Sequence, residues 1–248
     1  VMIDFHYSDW WADPAKQNIP KAWEKHKYKQ LCADVAEHTK SVLTLLKDNG
    51  VQPKWVQVGN ETSNGFLWPV GKIRETDGEL KGMWMDEDQM KQYAGLFKAG
   101  YDAVKAVFPD ALVIAHLDKG YDAELYMTNL DALKKNGAKW DMIGMSVYPY
   151  WAFDSGYTGT IDRLYADCMQ NIKDLYSRYG TETMIVETGF LVDESDPQTT
   201  GQGREDFQRL INLSKTATDG HCRGIFYWEP TCRPSQYKLG AFHEDGKP

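Results

Sequence analysis

WVQVGNE, residues 55–61, is a short apolar run that ends in two polar side chains, Asn60 and Glu61. The chain has six runs of this form, each an apolar stretch that stops at groups able to do chemistry: Val1–Phe5, Trp55–Gly59, Leu112–His116, Met142–Tyr148, Met184–Thr188 and Gly224–Trp228. Their length and composition predict six strands. Because they are almost continuously apolar, they are typical of a sheet that is covered on both faces.

Longer amphipathic stretches separate these runs and predict helices: Leu31–Asn49, Asp86–Val107, Ala123–Asn136, Ile161–Tyr179 and Arg204–Thr218. Several of them end at a glycine, which is a helix-stop signal. Strands that alternate with helices of this length predict βαβ units and a parallel sheet. No linker, repeat or low-complexity segment interrupts the pattern, so we expect one domain over residues 1–248.

The polar strand ends favour a closed barrel over an open doubly wound sheet. The open sheet lacks support because its usual glycine-rich phosphate turn is absent. A (β/α)8 barrel has eight strands, of which six are visible here, and its active site lies where the carboxyl ends of the strands converge. All six strands end in such groups: His6, Ser8 and Asp9; Asn60 and Glu61; His116 and Asp118; Ser146, Tyr148 and Pro149; Glu187; Trp228 and Glu229.

Two of these strand-end residues, Glu61 and Glu187, suit glycoside cleavage. A glutamate after a strand is more often a loop residue or a helix cap, and a single histidine is more often a buried, hydrogen-bonded one. Retaining glycosidases, however, need two carboxyl groups facing each other across the scissile bond. In that chemistry Asn60 is suited to bind a sugar 2-hydroxyl, Tyr148 to hold the nucleophile and Trp228 to form the floor beneath the sugar.

Composition argues against several other functions. The formal net charge of −8 disfavours nucleic acid as a partner, because phosphate binding needs a basic surface. No apolar run approaches the roughly 18 residues of a membrane span. None of the four cysteines forms a CxxC pair, so we expect no zinc site. We also expect no other required metal and no cofactor. A Cys222–Cys232 bridge stays open at this stage.

Five stretches closely resemble the arabinogalactan endo-β-1,4-galactanases of glycoside hydrolase family 53. They are DFHYSDWWADPAKQNIPKAW at residues 4–23, WVQVGNETSNGFLWPVGK at 55–72, IGMSVYPYW at 143–151, IVETGF at 185–190 and GIFYWEP at 224–230. The closing segment AFHEDGKP also resembles the family. The motifs occur in the family's order, and HYSDxWADPxxQ and VGNExxNGxLWPxG are long enough to be specific.

The resemblance implies a (β/α)8 barrel that cleaves β-1,4-galactosidic bonds in galactan or type I arabinogalactan, endo-acting and with retention. It makes Glu61 the general acid/base and Glu187 the nucleophile. The implied substrate-binding residues are His6, Asp9, Trp10, Asn60, Trp68, His116, Ser146, Tyr148 and Trp228. The implied partner is a polysaccharide, the galactan side chains of pectin, which suggests an extracellular, periplasmic or cell-surface location.

The chain also departs from the family pattern. Its first strand matches the family's third, so we expect two βα units to precede Val1 and a last helix to follow Pro248. No equivalent is found of the arginine that the family's second strand provides beside the nucleophile. We expect a monomer unless a partner completes the barrel. Trp10 stands next to Trp11 where the family more often has a smaller residue, and Trp10 either stacks on substrate or packs.

Two other readings remain open. One is a different retaining β-glycanase of the same clan, such as a mannanase or a cellulase. The other is a non-catalytic glycan-binding barrel. Asp193, Glu194 and Asp196 follow the Glu187 strand in a short acidic segment, which we interpret as a solvated turn and not as a metal site.

Overall fold

The computed structural model describes residues 1–193 and 195–247. The chain divides into two compact units. The first comprises Val1–Asp118 and Glu124–Ile143, and the second comprises Lys119–Ala123 and Gly144–Pro248. Strands and helices alternate along both units, as the sequence predicts. That the whole chain acts as one domain stays a prediction.

The first unit contains three parallel strands placed side by side in chain order. They are β1 (Met2–Phe5), β2 (Trp55–Val58) and a third strand, β5 (Leu112–Leu117). Met2 pairs with Trp55, and Trp55 pairs with Leu112, so the three strands start level with one another. This alignment brings their carboxyl ends to the same edge, where His6, Glu61 and Asp118 follow. The first residues of β6 (Met142–Ser146) complete this unit's share of the sheet.

Three helices accompany these strands: α1 (Tyr28–Asp48), α2 (Glu87–Val107) and α3 (Ala123–Lys135). In α1 the buried residues recur every four positions, at Leu31, Val35, Thr39 and Leu43, which gives one apolar stripe. In α2 the carboxylate of Asp86 accepts a hydrogen bond from the backbone N–H of Gln89 at 3.0 Å and caps the first turn.

A small hairpin follows Glu61 and was not predicted. Its antiparallel strands are β3 (Gly65–Phe66) and β4 (Gly71–Lys72). Gly65 has φ +85°, and a Cβ atom there would lie 1.8 Å from the carbonyl oxygen of Gly71. Only glycine allows this close backbone approach. Strands of two residues carry too little periodicity to be recognised from sequence.

The second unit contains the remainder of β6 together with β7 (Thr183–Glu187) and β8 (Cys222–Ile225), which are parallel to each other. Its helices are α4 (Pro149–Asp154), α5 (Ile161–Tyr179) and α6 (Pro197–Thr216). The helix α5 begins where Thr160 Oγ1 accepts a hydrogen bond from the N–H of Arg163. It ends at Gly180, which has φ +65°.

Two elements differ most from the sequence expectation. The helix α6 begins at Pro197 and not at Arg204, because Asp196 caps it and its early glycines do not interrupt it. The last strand is Cys222–Ile225 and not Gly224–Trp228. Thr183 of β7 pairs with Cys222 and Ile185 with Ile225, with a shift of register between them.

Two further sequence questions are answered by the described residues. All four cysteines are free thiols, so Cys222 and Cys232 form no bridge. Within residues 1–193 and 195–247, no helix combines the length and the hydrophobicity that a membrane span needs.

Candidate active site

Glu61 occupies a strained position directly after β2. Its backbone has φ 45° and ψ 51°, the left-handed region that glutamate rarely adopts, and it caps a short 3-10 helix at Thr62–Asn64. Its N–H donates to Nδ1 of His116 at 3.3 Å. Strain of this kind persists only where the surroundings enforce it, and it clusters at functional sites.

Buried hydrogen bonds hold the turn that follows Glu61. The hydroxyls of Thr62 and Tyr93 lie 3.1 Å apart, and the Tyr93 hydroxyl donates to Oδ1 of Asn129 at 2.9 Å. Asn129 Nδ2 in turn donates to the carbonyl of Thr62 at 3.2 Å. Ser63 Oγ accepts from the N–H of Asp118 at 2.9 Å. These residues fix the backbone on the C-terminal side of Glu61.

His116, at the end of the apolar run in β5, is completely buried and uncharged. Burial lowers its pKa from 6.5 to about 4; nearby Asp4 opposes the shift and nearby His6 adds to it. Its Nδ1 accepts the Glu61 N–H and lies 3.2 Å from Nε2 of Gln57. The neutral ring therefore carries its hydrogen on Nε2. His116 acts here as a fixed acceptor that positions the Glu61 backbone.

His6 links β1 to the loop that follows it. Its Nδ1 accepts a hydrogen bond from the N–H of Ala12 at 2.9 Å, so its hydrogen lies on Nε2, 3.2 Å from Oδ2 of Asp4. The other oxygen of Asp4, Oδ1, is buried and has no hydrogen-bond partner among the described residues. Asp4 is thus a half-buried carboxylate beside His6 that sequence reasoning missed.

Asn60 is anchored so that one atom stays available. Its Nδ2 donates to the carbonyl of Ala12 at 2.9 Å, and its backbone carbonyl accepts from Nε2 of Gln17 at 2.7 Å. Its side-chain Oδ1 is buried and lacks a hydrogen-bond partner among the described residues. A sugar hydroxyl placed there would donate a hydrogen bond to Oδ1. Because an unpaired buried polar atom costs free energy, this contact would favour binding of the sugar.

The other predicted residues of the first unit have different environments. Asp9 is exposed, and its Oδ2 accepts from the N–H of Lys21 at 2.7 Å, which is a capping contact. Trp10 is also exposed. Trp68 is half-buried, and its Nε1 donates to the carbonyl of Asn64 at 3.1 Å. Hydrogen bonds therefore join His6, Asn60, Glu61 and His116 into one group, directly or through Ala12 and Gln17, but they do not include Asp9.

In the second unit, Glu187 is the last residue of β7 and is half-buried. The hydroxyl of Tyr148 donates to its Oε2 at 2.9 Å. The Glu187 carbonyl accepts from the N–H of Val147 at 2.9 Å, so the strand end and the Tyr148 segment are also joined through the backbone. A hydrogen bond from a neutral phenol stabilises the ionised carboxylate. This is the contact that the sequence predicted for Tyr148.

Trp228 is held close to Glu187 by backbone contacts. Its N–H donates to the carbonyl of Thr188 at 2.8 Å, and Thr188 Oγ1 donates to the carbonyl of Val147 at 2.6 Å. Its ring remains partly exposed. Ser146 is buried at the end of β6, where its carbonyl accepts from the N–H of Gly120 at 3.0 Å. Tyr148, Glu187 and Trp228 thus form the second unit's share of the candidate site.

Three residues that the sequence did not single out support the first unit's group: Asp4, Gln17 and Gln57. A usable signal exists for two of them in the strand pattern. Asp4 and Gln57 are the polar interruptions in the otherwise apolar runs of β1 and β2, and they are register partners. Gln17 lies in a loop and interrupts no strand, so its signal is its place as the last residue of the HYSDxWADPxxQ motif.

Among residues 1–193 and 195–247, no group of three or more histidine, cysteine, aspartate or glutamate side chains could hold a metal ion. Of the acidic segment after β7, Asp193 and Asp196 make local turn and capping contacts, with Ser195 and with Gln198. Glu194 lies outside the described residues. That the protein needs no metal stays a prediction.

Parallel βα units with polar and acidic side chains at the carboxyl ends of their strands define a β/α-barrel protein with a carboxylate-containing site. Comparison with known proteins specifies the class. The family model described as Glycosyl hydrolase family 53 matches residues 1–246. The chain therefore belongs to glycosyl hydrolase family 53.

Individual relatives agree with this assignment. An endo-β-1,4-galactanase of Bacillus subtilis is 32% identical over 94% of this chain and 52% of its own length. The solved structure of an Ignisphaera aggregans GH53 catalytic domain superposes with a TM-score of 0.82 at 32% identity, covering 99% of this chain and 70% of that one. A solved fungal β-1,4-galactanase shares the fold, with a TM-score of 0.80 at 24% identity over 99% of this chain and 74% of that one.

These comparisons confirm the predicted (β/α)8 barrel class and the predicted family. This chain spans about half the length of the Bacillus subtilis galactanase and 63% of that of a probable galactanase from Neosartorya fischeri.

Proposed function

We propose that this protein is an endo-acting, retaining hydrolase of β-1,4-galactan. Two observations support the proposal together: membership of glycosyl hydrolase family 53, and a glutamate at each of two strand ends where that chemistry needs one. The relatives named as galactanases supply the substrate class. The hydrogen bond from Tyr148 to Glu187 is the single contact that argues most directly for a nucleophile.

Glu187 is proposed to attack the anomeric carbon. The reaction forms a covalent bond between its carboxylate oxygen and the sugar, with loss of the leaving oxygen. Such a nucleophile must be ionised, and the Tyr148 hydroxyl stabilises that form. Trp228 is proposed to provide an apolar surface under the sugar that reacts.

Glu61 is proposed to protonate the leaving oxygen and afterwards to remove a proton from the water that releases the product. Its strained backbone geometry and the hydrogen bond from its N–H to neutral His116 fix the backbone position from which the carboxyl group extends. Asn60 is proposed to accept a hydrogen bond from the sugar 2-hydroxyl through Oδ1. Such a contact strengthens as the transition state forms.

His6, Asp9, Trp10, Trp68, His116 and Ser146 are proposed as the remaining substrate-binding positions. His116 and His6 belong to the hydrogen-bonded group around Glu61, which supports them. The half-buried ring of Trp68 can stack on a sugar. The exposed Asp9 has the weakest support, because its carboxylate already accepts a hydrogen bond from the backbone N–H of Lys21.

A substrate panel separates galactan cleavage from its nearest alternatives. Purified protein is incubated with galactan, mannan, xylan and cellulose, and released oligosaccharides are measured. Galactan alone should give soluble oligosaccharides, with internal cuts that lower viscosity early. Release from mannan or cellulose only would replace this proposal with the related-glycanase reading.

A non-catalytic glycan-binding barrel is the second candidate function, and it predicts binding without turnover. In an active enzyme, Glu187→Gln should lower the rate by several orders of magnitude, the usual scale for loss of a nucleophile. Binding of galactan with zero turnover in both the original protein and the variant would favour the binding role.

We propose the galactan side chains of pectin as the natural substrate and a location outside the cytoplasm, extracellular, periplasmic or at the cell surface. The size of the polysaccharide supports this location.

A further inference from the structure

Two adjacent tryptophans project into solvent on the loop that follows β1. Trp10 and Trp11 are 75% and 70% exposed, compared with 39% for Trp151 and 38% for Trp228. Exposing two large rings side by side is unfavourable, and contiguous exposed apolar surface commonly marks an interaction site. Among the described residues, no packing buries either ring.

The two rings border a groove of about 540 Å³ that also has polar walls, formed by His6, Ser8, Asp9 and Lys16. This combination suits a neutral sugar. A β-galactopyranose ring has one face made of C–H bonds, which can stack on an aromatic ring, while its hydroxyl groups point outward toward hydrogen-bonding partners. Membranes and apolar peptides would not use the polar walls.

The loop is tied directly to the segment that carries Glu61. Ala12, which follows Trp11, donates its N–H to His6 and accepts at its carbonyl from Asn60 Nδ2, both at 2.9 Å. Farther along the loop, the Pro14 carbonyl accepts from Asn64 Nδ2 at 2.8 Å. The tryptophans therefore keep a fixed relation to the proposed acid/base residue, and a sugar bound on them can belong to the chain that this residue cleaves.

We propose that Trp10 and Trp11 form an additional subsite that binds a galactose unit of the polymer beyond the two sugars that flank the cleaved bond. This inference rests on the proposed galactanase function. The subsite increases affinity for long chains and so favours polymer over short oligosaccharides. Its occupant is one sugar ring of the same β-1,4-galactan chain.

The first test measures binding of galactan in a Glu187→Gln background, so that the polymer is not consumed. Trp10→Ala should weaken binding roughly tenfold, the loss expected for one stacking contact, and Trp10→Phe should recover most of it. Leu45→Ala is the matched control, because Leu45 is 64% exposed on α1. That variant should bind within about twofold of the parent, the scatter of an ordinary surface substitution.

The second test measures kcat/KM for galactan and for galactobiose in the active protein. The ratio of polymer to disaccharide should fall roughly tenfold in the Trp10→Ala, Trp11→Ala double variant, because the disaccharide fills only the two positions that flank the cleaved bond. Far-UV circular dichroism and Tm of each variant confirm that it is folded.

Three results would overturn the inference. Trp10→Ala could bind galactan as tightly as the Leu45→Ala control, Trp10→Phe could bind as weakly as Trp10→Ala, or the double variant could lose activity equally on both substrates. If the parent protein cleaves galactan and the double variant has the same kcat/KM ratio as the parent, only the subsite proposal is refuted. If the parent neither binds nor cleaves galactan, the proposed function itself fails.

Discussion

At the residue scale, the first unit's share of the candidate site depends on hydrogen-bond acceptors that buried and half-buried contacts hold in place. Neutral His116 receives the Glu61 N–H, His6 receives the Ala12 N–H, and Asn60 keeps one oxygen available. Motif reading found these three residues, because each follows or ends an apolar run. It did not single out Asp4, although this residue interrupts the apolar run of β1. It also missed the role of Gln17, whose hydrogen-bond partners come together only after folding.

Burial of His116 predicts a loss of stability in acid. The unfolded chain takes up a proton at this residue below its ordinary pKa of 6.5, whereas the folded chain does so only near about 4. More protons are bound in the unfolded state between these values, so the free energy of unfolding falls as the pH is lowered, by on the order of 3 kcal/mol for this group. Urea unfolding at several pH values measures it.

The variant His116→Gln supplies the control for this pH dependence. It cannot titrate, so its stability should decrease less between pH 6.5 and about 4, although it begins from a lower value. Parallel stability curves for the two proteins would show that His116 is not the group responsible.

The contact between Tyr148 and Glu187 predicts that removing the Tyr148 hydroxyl lowers the rate of the reaction without changing the fold. Replacing it with phenylalanine removes the donor to Glu187 Oε2 and should lower kcat on the order of 10- to 100-fold, because a hydrogen bond to a charged group contributes about 1.5–3 kcal/mol. Steady-state kinetics on galactan measures the effect.

Tyr150→Phe is the matched control for the Tyr148 variant. The Tyr150 hydroxyl bonds to Lys238, so its loss should leave the rate nearly unchanged. Equal effects of the two substitutions would argue against a specific role for Tyr148.

At the element scale, alanine substitutions at two neighbouring glycines of helix α6 should change the stability of the protein in opposite directions. Nothing lies within 4 Å of a Cβ atom at Gly201, whereas a Cβ at Gly203 would lie 2.9 Å from the carbonyl oxygen of Leu191. Gly201→Ala should therefore stabilise the protein by about 0.5–1 kcal/mol through helix propensity, and Gly203→Ala should destabilise it. Urea unfolding of both variants measures the two changes in the free energy of unfolding. Changes in the same direction would contradict the packing of α6 against Leu191.

The same helix shows the limits of element prediction. Hydrophobic periodicity identifies the six strands and the five long helices, because each buries a regular apolar face. The start of α6 could not be predicted, since Gly201 and Gly203 resemble a loop. The hairpin at Gly65–Lys72 and the short helix Pro149–Asp154 are too short to carry a period.

At the scale of the whole molecule, the barrel class could be predicted because all six parallel strands end in polar groups, which a purely structural sheet does not require. The comparisons support that reasoning over 99% of the chain. The family could be predicted from two long motifs, because their loop residues serve a site. Those residues include Gln17, whose amide bonds the Asn60 carbonyl. The two glutamates could be proposed, but their chemical roles require measurement.

Trapping the covalent intermediate tests those roles most directly. A galactobioside with fluorine at C2 and a good leaving group slows breakdown of the glycosyl-enzyme, so the intermediate accumulates on the nucleophile. Digestion and mass spectrometry then locate the added disaccharide. The label should lie on Glu187 in the peptide that contains IVETGF, and Glu187→Gln should take up none. A label on any other residue, or hydrolysis of galactan with inversion and no label at all, would contradict the proposed mechanism.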